Sequence, residues 1–145
     1  MRILHLVPIA AVLLCTAAAT TAETAGGALD VVEMVVAAGF DRENRLPEQA
    51  GEVFPAGTER LWCYTRVQGA ALPVDIVHAW YHEGETRARV SLPVRSPDWR
   101  TWSSKLLLPA WTGHWEVKVL DPDGLVLASR TFTIVPGTTG GEDSE

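Results

Sequence analysis

The chain has 145 residues and a formal net charge of −6 at pH 7. This acidic balance argues against nucleic acid as a partner, because clustered Lys and Arg side chains supply most of the affinity for a phosphate backbone. The length fits one small domain, which at this size buries enough surface to form a core without a metal ion or a disulfide.

Residues 1–22 have the composition of a secretory signal peptide. Arg2 supplies a positive start, residues 3–19 are almost wholly apolar, and small residues follow where signal peptidase cleaves. We expect cleavage after Ala22, with Ala19 as the alternative position.

Two other fates of the N-terminal segment are possible, and its sequence argues against both. The apolar core at 3–14 is shorter than the ~20 residues of a spanning helix, which argues against an uncleaved membrane anchor. A lipid-modified Cys15 is the other possibility, but Leu14 precedes it where a small residue is usual. Cleavage leaves Cys63 as the single Cys of the mature chain, so no intrachain disulfide is expected. We expect Cys63 to be a small buried hydrophobe.

After a linker at 23–30, alternating or β-branched runs predict seven strands. The predicted strands are 31–38, 60–67, 74–82, 86–94, 100–108, 114–120 and 125–135. The polar segment 39–59 is long for a loop, so we expect it to cover a sheet edge or to hold a short helix, with the charges at 42–45 in solvent. The Gly-rich, acidic segment 136–145 predicts a disordered tail. These patterns predict an all-β fold, a single antiparallel β-sandwich over residues 31–135.

The hairpin that follows Trp80 has two possible registers. A two-residue loop pairs Trp80 with Arg87, whereas a three-residue loop pairs Trp80 with Ala88. We favour the second register, because it places apolar residues opposite apolar residues along both strands. It makes Trp80 a core residue and turns three side chains outward, namely Tyr81, Arg87 and Arg89.

The chain contains six Trp residues, and five of them fall into two groups. Trp80 and Trp115 lie on predicted strands among apolar residues of the same face, which predicts core positions. The second group lies next to Arg100, Ser103 and Lys105 and consists of Trp99, Trp102 and Trp111. An aromatic plane beside hydrogen-bonding groups suits a polar ring-shaped ligand such as a sugar. On a regular strand Trp99 and Trp102 face opposite ways, so a shared site requires a bulge or a turn. The candidate ligand-binding residues are Trp99, Arg100, Trp102, Lys105 and Trp111.

The residues that could act in catalysis or bind a metal ion are spaced too far apart to do so together. Ser103 and Lys105 are about 7 Å apart along a strand, beyond hydrogen-bond reach. His78 and His82 share a face at about 13 Å, too far for one metal ion, and His114 is expected to point outward while His82 points inward. We therefore predict no catalytic residue, no metal site and no cofactor, and we expect His78 to be hydrogen-bonded at the core margin.

Four sequence blocks within 54–134 resemble a bacterial family known as domain of unknown function 2914. The blocks are 61–65, 78–84, 99–105 and 113–117, the last of which leads to Asp123-Gly124. The resemblance implies a bacterial, envelope-associated β domain with no assigned activity. The alternating Gly, Trp and Val residues of 113–119 and the order of Cys63 and Trp80 also resemble immunoglobulin-like domains.

These observations lead to an expected function and two alternatives. We expect an exported, non-catalytic binding module of the bacterial cell envelope, periplasmic or secreted, whose ligand is a glycan or an envelope protein. We expect no nucleic-acid partner and no stable membrane insertion of the mature chain. The first alternative is a structural or assembly protein that acts through an exposed sheet edge. The second is an enzyme whose acid–base pair comes from distant residues such as Glu83, Asp98 and His114.

Overall fold

The structure is a computed structural model that describes residues 28–69 and 71–137. The predicted signal peptide, most of the predicted linker and residues 138–145 of the predicted tail lie outside the described residues. In the described part of the chain there are nine strands and no helix that could cross a membrane. The strands are β1 (Asp30–Asp41), β2 (Leu46–Ala50), β3 (Val53–Pro55), β4 (Arg60–Gln68), β5 (Val74–His82), β6 (Glu85–Val94), β7 (Asp98–Leu106), β8 (Gly113–Leu120) and β9 (Val126–Val135).

The strands form two sheets with the orders β2-β1-β4-β7 and β3-β9-β8-β5-β6. Neighbouring strands are antiparallel except for β3 and β9, which are parallel. A single cluster of buried apolar side chains contains residues of both sheets, such as Leu61 of β4 and Trp80 of β5. The two sheets therefore pack face to face on the inward rows that strand alternation creates. The prediction of an all-β fold is confirmed.

The polar segment 39–59 contains strands instead of the predicted loop or short helix. β2 pairs with β1 at the edge of one sheet, and β3 pairs with β9 at the edge of the other. Most residues of these two strands are exposed, so the apolar alternation that identifies a buried strand is missing. Pro47 and Pro55 are tolerated because an edge strand leaves one row of backbone groups unpaired. The fold consequently has nine strands where the sequence predicts seven.

The hairpin between β5 and β6 combines features of the two predicted registers. Trp80 pairs with Ala88, as in the favoured register, and Trp80 is fully buried as predicted. Beyond this pair Tyr81 lies opposite Thr86, which leaves Arg87 as an extra residue in a β-bulge. The bulge shifts the register by one position, so the loop contains two residues and not three.

The two-residue turn of this hairpin has a left-handed backbone. Glu83 and Gly84 have φ values of 48° and 79°, as the twist of a two-residue hairpin requires. The Glu83 carboxylate accepts a hydrogen bond of 2.6 Å from the backbone N–H of His114, which ties the turn to the start of β8. Gly113 has a φ of 103°, and a Cβ at this position would overlap the Glu83 carboxylate. The turn therefore requires a residue without a side chain at position 113.

Candidate functional site

The five predicted ligand-binding residues lie in two separate places. Trp99, Arg100 and Trp102 line one groove of about 440 Å³. Lys105 and Trp111 contact each other instead, with the Lys105 ammonium 5.1 Å from the centre of the Trp111 ring. Lys105 is six positions beyond Trp99 on β7, which corresponds to roughly 20 Å along a strand. The structure therefore brings Trp99, Arg100 and Trp102 together and places Lys105 and Trp111 apart from them.

Trp99 and Trp102 share the groove although they lie on opposite faces of β7. The register between β4 and β7 is unbroken from end to end, so no bulge brings the two rings to one face. Trp99 packs against the core, whereas Trp102 alternates with the buried Thr101 and Ser103 and lies on the outer face. β7 is the last strand of its sheet, and the groove runs along its free edge. The two rings line one groove because β7 is an edge strand, and not because of a bulge or a turn as predicted.

The β1–β2 hairpin supplies the part of the groove that the sequence analysis missed. The Phe40 ring lies 4.7 Å from the Trp102 ring, and Arg45 lines the groove beside Trp99 and Arg100. The Asp41 carboxylate shapes the loop by accepting hydrogen bonds from the backbone N–H groups of Glu43 and Asn44. Arg45 is exposed, as expected for the charges at 42–45. No local pattern connects it with groove residues more than fifty positions away.

The charges around the groove are predominantly positive. Asp98 lies nearby and lines an adjoining depression together with Arg45 and Arg100. Its carboxylate accepts hydrogen bonds from the Arg66 guanidinium, at 2.8 Å for the Nε–H group, and from the Gln68 amide at 3.3 Å. The Arg66 hydrogen bond lowers the pKa of Asp98 to about 2, with a smaller contribution from the charge of Arg100. Asp98 therefore stays ionised, and its main partner is Arg66.

Trp111 forms the centre of a separate cation–π cluster. The Arg87 guanidinium lies 5.0 Å from its ring centre, close to the distance of the Lys105 ammonium. Trp111 also packs near the Trp115 ring, at 5.8 Å, and near His82 at 6.2 Å. Such pairs contribute about 0.5–1 kcal/mol each at exposed sites. These contacts stabilise one end of the core, and neither Trp111 nor Lys105 lines the groove.

The same cluster corrects the predicted direction of Arg87. The sequence predicts that Arg87 points outward, but its guanidinium lies over Trp111, and its ion pair with Glu85 is 2.9 Å long. The β-bulge is the reason, because the extra residue of a bulge is turned away from the direction that regular alternation gives it. Arg89 is exposed, as predicted.

A family comparison covers the strands that form most of the groove. Residues 73–134 match the model of a family described as a protein of unknown function, DUF2914. The predicted resemblance is confirmed over this part of the chain, whereas the block at 61–65 lies before the match. No curated protein matches the chain.

The DUF2914 match includes all five predicted site residues but not Arg45. The β7 side of the groove is therefore part of the matched segment, and the β1–β2 hairpin that completes the groove precedes it. The match also includes His78, Trp80 and Ser103, which meet in the centre of the core.

His78 holds together a buried hydrogen-bond network between the two sheets. Its Nδ1 lies 2.7 Å from the Ser103 hydroxyl and its Nε2 lies 2.9 Å from the Thr65 hydroxyl. The Trp80 indole N–H donates to the same Ser103 hydroxyl at 3.1 Å. His78 and Thr65 are fully buried. His78 therefore lies within the core, whereas the sequence predicted a position at its margin.

The network has one arrangement in which every donor finds an acceptor. The Trp80 N–H donates to Ser103 Oγ, and Ser103 O–H then donates to His78 Nδ1. A neutral imidazole carries one proton, which lies on Nε2 in this arrangement and is donated to Thr65 Oγ1. The Thr65 O–H is then directed to Cys63 Sγ at 3.9 Å. In the other tautomer Ser103 Oγ would accept from both His78 and Trp80, and its own proton would have no acceptor in the network, so we assign the Nε2–H tautomer to His78.

Ser103 and His78 lie within the hydrogen-bond distance of a nucleophile and its base, but both side chains are buried. Burial lowers the pKa of His78 to about 4, so the ring is neutral at pH 7. Ser103 is only 6% exposed, and its side chain lies between the two sheets. These hydrogen bonds join β4, β5 and β7 across the core.

The remaining residues with reactive side chains are placed as the sequence predicts. Cys63 is fully buried, and burial raises the pKa of its thiol to about 12, so it is a protonated, apolar core residue. His82 points inward, donates through Nε2 to the Thr112 carbonyl at 2.7 Å and stacks on Trp115. His114 is exposed.

Proposed function

We propose that the protein is an exported, non-catalytic binding module of the bacterial cell envelope whose β7 groove binds a polar, ring-shaped ligand such as a glycan. The supporting observation is the convergence of two indole rings and two guanidinium groups in one groove. Trp99 and Trp102 offer apolar ring surfaces, and Arg45 and Arg100 offer hydrogen-bond donors beside them. An apolar surface with a few polar groups that fix orientation is typical of a small-molecule site.

The strand order supports an immunoglobulin-like sandwich as the scaffold. β1, β4 and β7 are neighbours in one sheet, and β5, β8 and β9 are neighbours in the other. These match the A-B-E and C-F-G neighbours of immunoglobulin-like folds. Cys63 on β4 and Trp80 on β5 are both fully buried, in the strands that carry the core Cys and Trp of such domains.

Export is supported by the composition of residues 1–22 and has its own test. We expect the protein recovered from the periplasm or the medium to begin at Glu23, or at Thr20 if cleavage follows Ala19. Intact-mass spectrometry distinguishes these termini. A protein that retains Met1 and stays in the membrane fraction would contradict this part of the proposal.

Trp102→Ala is expected to weaken glycan binding at least tenfold, about 1.4 kcal/mol, without unfolding the protein. Trp102 lies on the outer face of its sheet, so its loss removes a wall of the groove and leaves the core intact. Titration of the purified protein with peptidoglycan fragments and envelope glycans, followed by calorimetry and by intrinsic fluorescence, measures the effect. Thermal unfolding of the same samples checks the fold.

Trp62→Ala is the matched control for this experiment. Trp62 pairs with Ser104, two residues beyond Trp102 on β7, so it lies on the same outer face as Trp102. It does not line the groove. We expect binding to survive in this variant. Trp99→Ala is a poorer probe, because Trp99 also packs against the core. The absence of any saturable response in the folded wild-type protein would contradict the glycan proposal.

A second candidate function is supported by the free backbone edge of β7. The bonds from Leu107 N–H to the Glu59 carbonyl and from Gly69 N–H to the Pro97 carbonyl show that odd-numbered residues of this stretch bond to β4. In an antiparallel pair, the alternate residues then direct their N–H and C=O groups away from the partner. These residues are Arg100, Trp102, Ser104 and Leu106. Such an edge suits strand addition by an extended segment of an assembly partner. A partner crosslinked through Leu106, together with indifference to sugars, would favour this function.

A further inference from the structure

We infer that the β7 groove selects an acidic glycan, a sugar ring that carries a carboxylate, over a neutral one. This inference rests on the proposed function, because it names the ligand class of the same groove. It comes from three features: the charge of the groove walls, the repulsion between Arg100 and its cross-strand neighbour Arg66, and the backbone conformation of Arg45.

The first feature is the charge of the groove walls. Among the described residues that line it, Arg45 and Arg100 are the charged ones, and the others are Pro93, Trp99, Thr101 and Trp102. The whole chain is acidic, with a net charge of −6, so a positively charged groove is a local exception. Guanidinium groups bind carboxylates through paired N–H donors, which a neutral sugar hydroxyl does not match.

The second feature is the repulsion between neighbouring cations. Arg100 lies directly opposite Arg66 in the β4–β7 register, and like charges in cross-strand pairs are destabilising. Asp98 compensates Arg66 by accepting its Nε–H hydrogen bond. Within the part of the chain that the structure describes, neither Arg45 nor Arg100 forms an ion pair. A bound carboxylate would compensate the remaining positive charge.

The third feature is the backbone conformation that carries Arg45. Arg45 has a φ of 56°, in the left-handed region that glycine adopts without steric cost. A non-glycine residue there costs about 1–2 kcal/mol. Strained residues of this kind cluster at ligand clamps, where the position of the side chain offsets the local cost. In Arg45 the strained backbone carries one of the two cations of the groove.

The test compares one sugar with and without its charge. The probes are a tetramer of galacturonic acid and its methyl ester, which has the same rings and no carboxylate charge. We expect the acid to bind the purified protein at least tenfold more tightly than the ester by calorimetry at low ionic strength. The difference should shrink in added salt, because the cations are exposed.

Two variants test the roles of the cations, and a third is their control. Arg100→Gln and Arg45→Gly should each remove most of the preference for the acid. Arg45→Gly should also leave the melting temperature unchanged or raise it, since Gly relieves the left-handed backbone, so lost binding there cannot come from unfolding. Arg42→Gln removes the same charge from the same loop at a position outside the groove and should keep the preference.

The outcomes separate this inference from the proposed function. Equal binding of the acid and the ester, with loss of both in Trp102→Ala, would overturn the acidic preference and leave the glycan site standing. No binding of either sugar would overturn both. Displacement of the acid by a tetraglutamate peptide at equal concentration would overturn the sugar class and point to an acidic protein segment instead.

Discussion

Ser103→Ala is expected to lower the free energy of unfolding by about 2–6 kcal/mol, a large fraction of the roughly 5–15 kcal/mol that stabilises a domain. The Ser103 hydroxyl bonds both His78 Nδ1 and the Trp80 indole N–H. Its removal leaves two buried polar groups without their partner, and each such group costs about 1–3 kcal/mol. Urea denaturation measures the change, with an unchanged m value as the sign that the native fold persists.

Ser104→Ala is the matched control for this prediction. Ser104 is the next residue on the same strand, but it lies on the outer face, where its hydroxyl accepts a hydrogen bond of 2.7 Å from Arg60. The position is partly exposed, so water replaces the lost bond and we expect a change below about 1 kcal/mol. Equal losses for the two variants would show that the buried network does not hold the sheets together.

Acid is expected to destabilise the protein through His78, with a loss of about 3 kcal/mol between pH 7 and pH 4. The ordinary pKa of His is 6.5, and burial lowers the pKa of His78 to about 4 in the folded chain. Between these two values the unfolded chain binds a proton that the folded chain does not. Stability is therefore complete above pH 6.5 and falls as the pH approaches 4.

Urea denaturation at pH 7 and at pH 4.5 measures most of this loss, about 2.4 kcal/mol. In His78→Gln the dependence on pH over this range should be nearly flat, although the variant is less stable throughout. His114→Gln should behave as the wild type, because His114 is exposed. The lowered pKa of Asp98, about 2, produces a separate loss that begins only as the pH falls through 3.8, below the range measured. A His78→Gln variant that retains the full pH dependence would contradict the prediction.

The strands with one buried face were predictable from the sequence alone. The bounds of β5 were predicted without error, because its inward row of Ile76, His78 and Trp80 alternates with outer residues. The pairing of Trp80 with Ala88 followed from the same rows, since a one-residue slip would expose every apolar side chain. The edge strands β2 and β3 were missed, because exposed strands carry no apolar alternation. The bulge at Arg87 was missed for a related reason, since it shifts the register without changing the sequence pattern.

The candidate site shows the same division. The Trp99 to Trp102 stretch was predicted from its local composition, and alternation correctly placed its two rings on opposite faces. That both rings still line one groove depends on β7 being the last strand of its sheet, which is a property of the strand order. Arg45 enters the groove through the β1–β2 hairpin, and no spacing rule connects it with Arg100.

The sequence by itself therefore determined the all-β class, the inward and outward rows of the buried strands, and the burial of Cys63, Trp80 and Trp115. These properties follow from the pleat of a strand, which acts between residues two positions apart. Only the tertiary structure decided which distant residues meet: His78 with Ser103 between the sheets, and Arg45 with the β7 edge. Such contacts depend on how the two sheets stack and on which strand ends each sheet, and many loop-separated arrangements share the same local pattern.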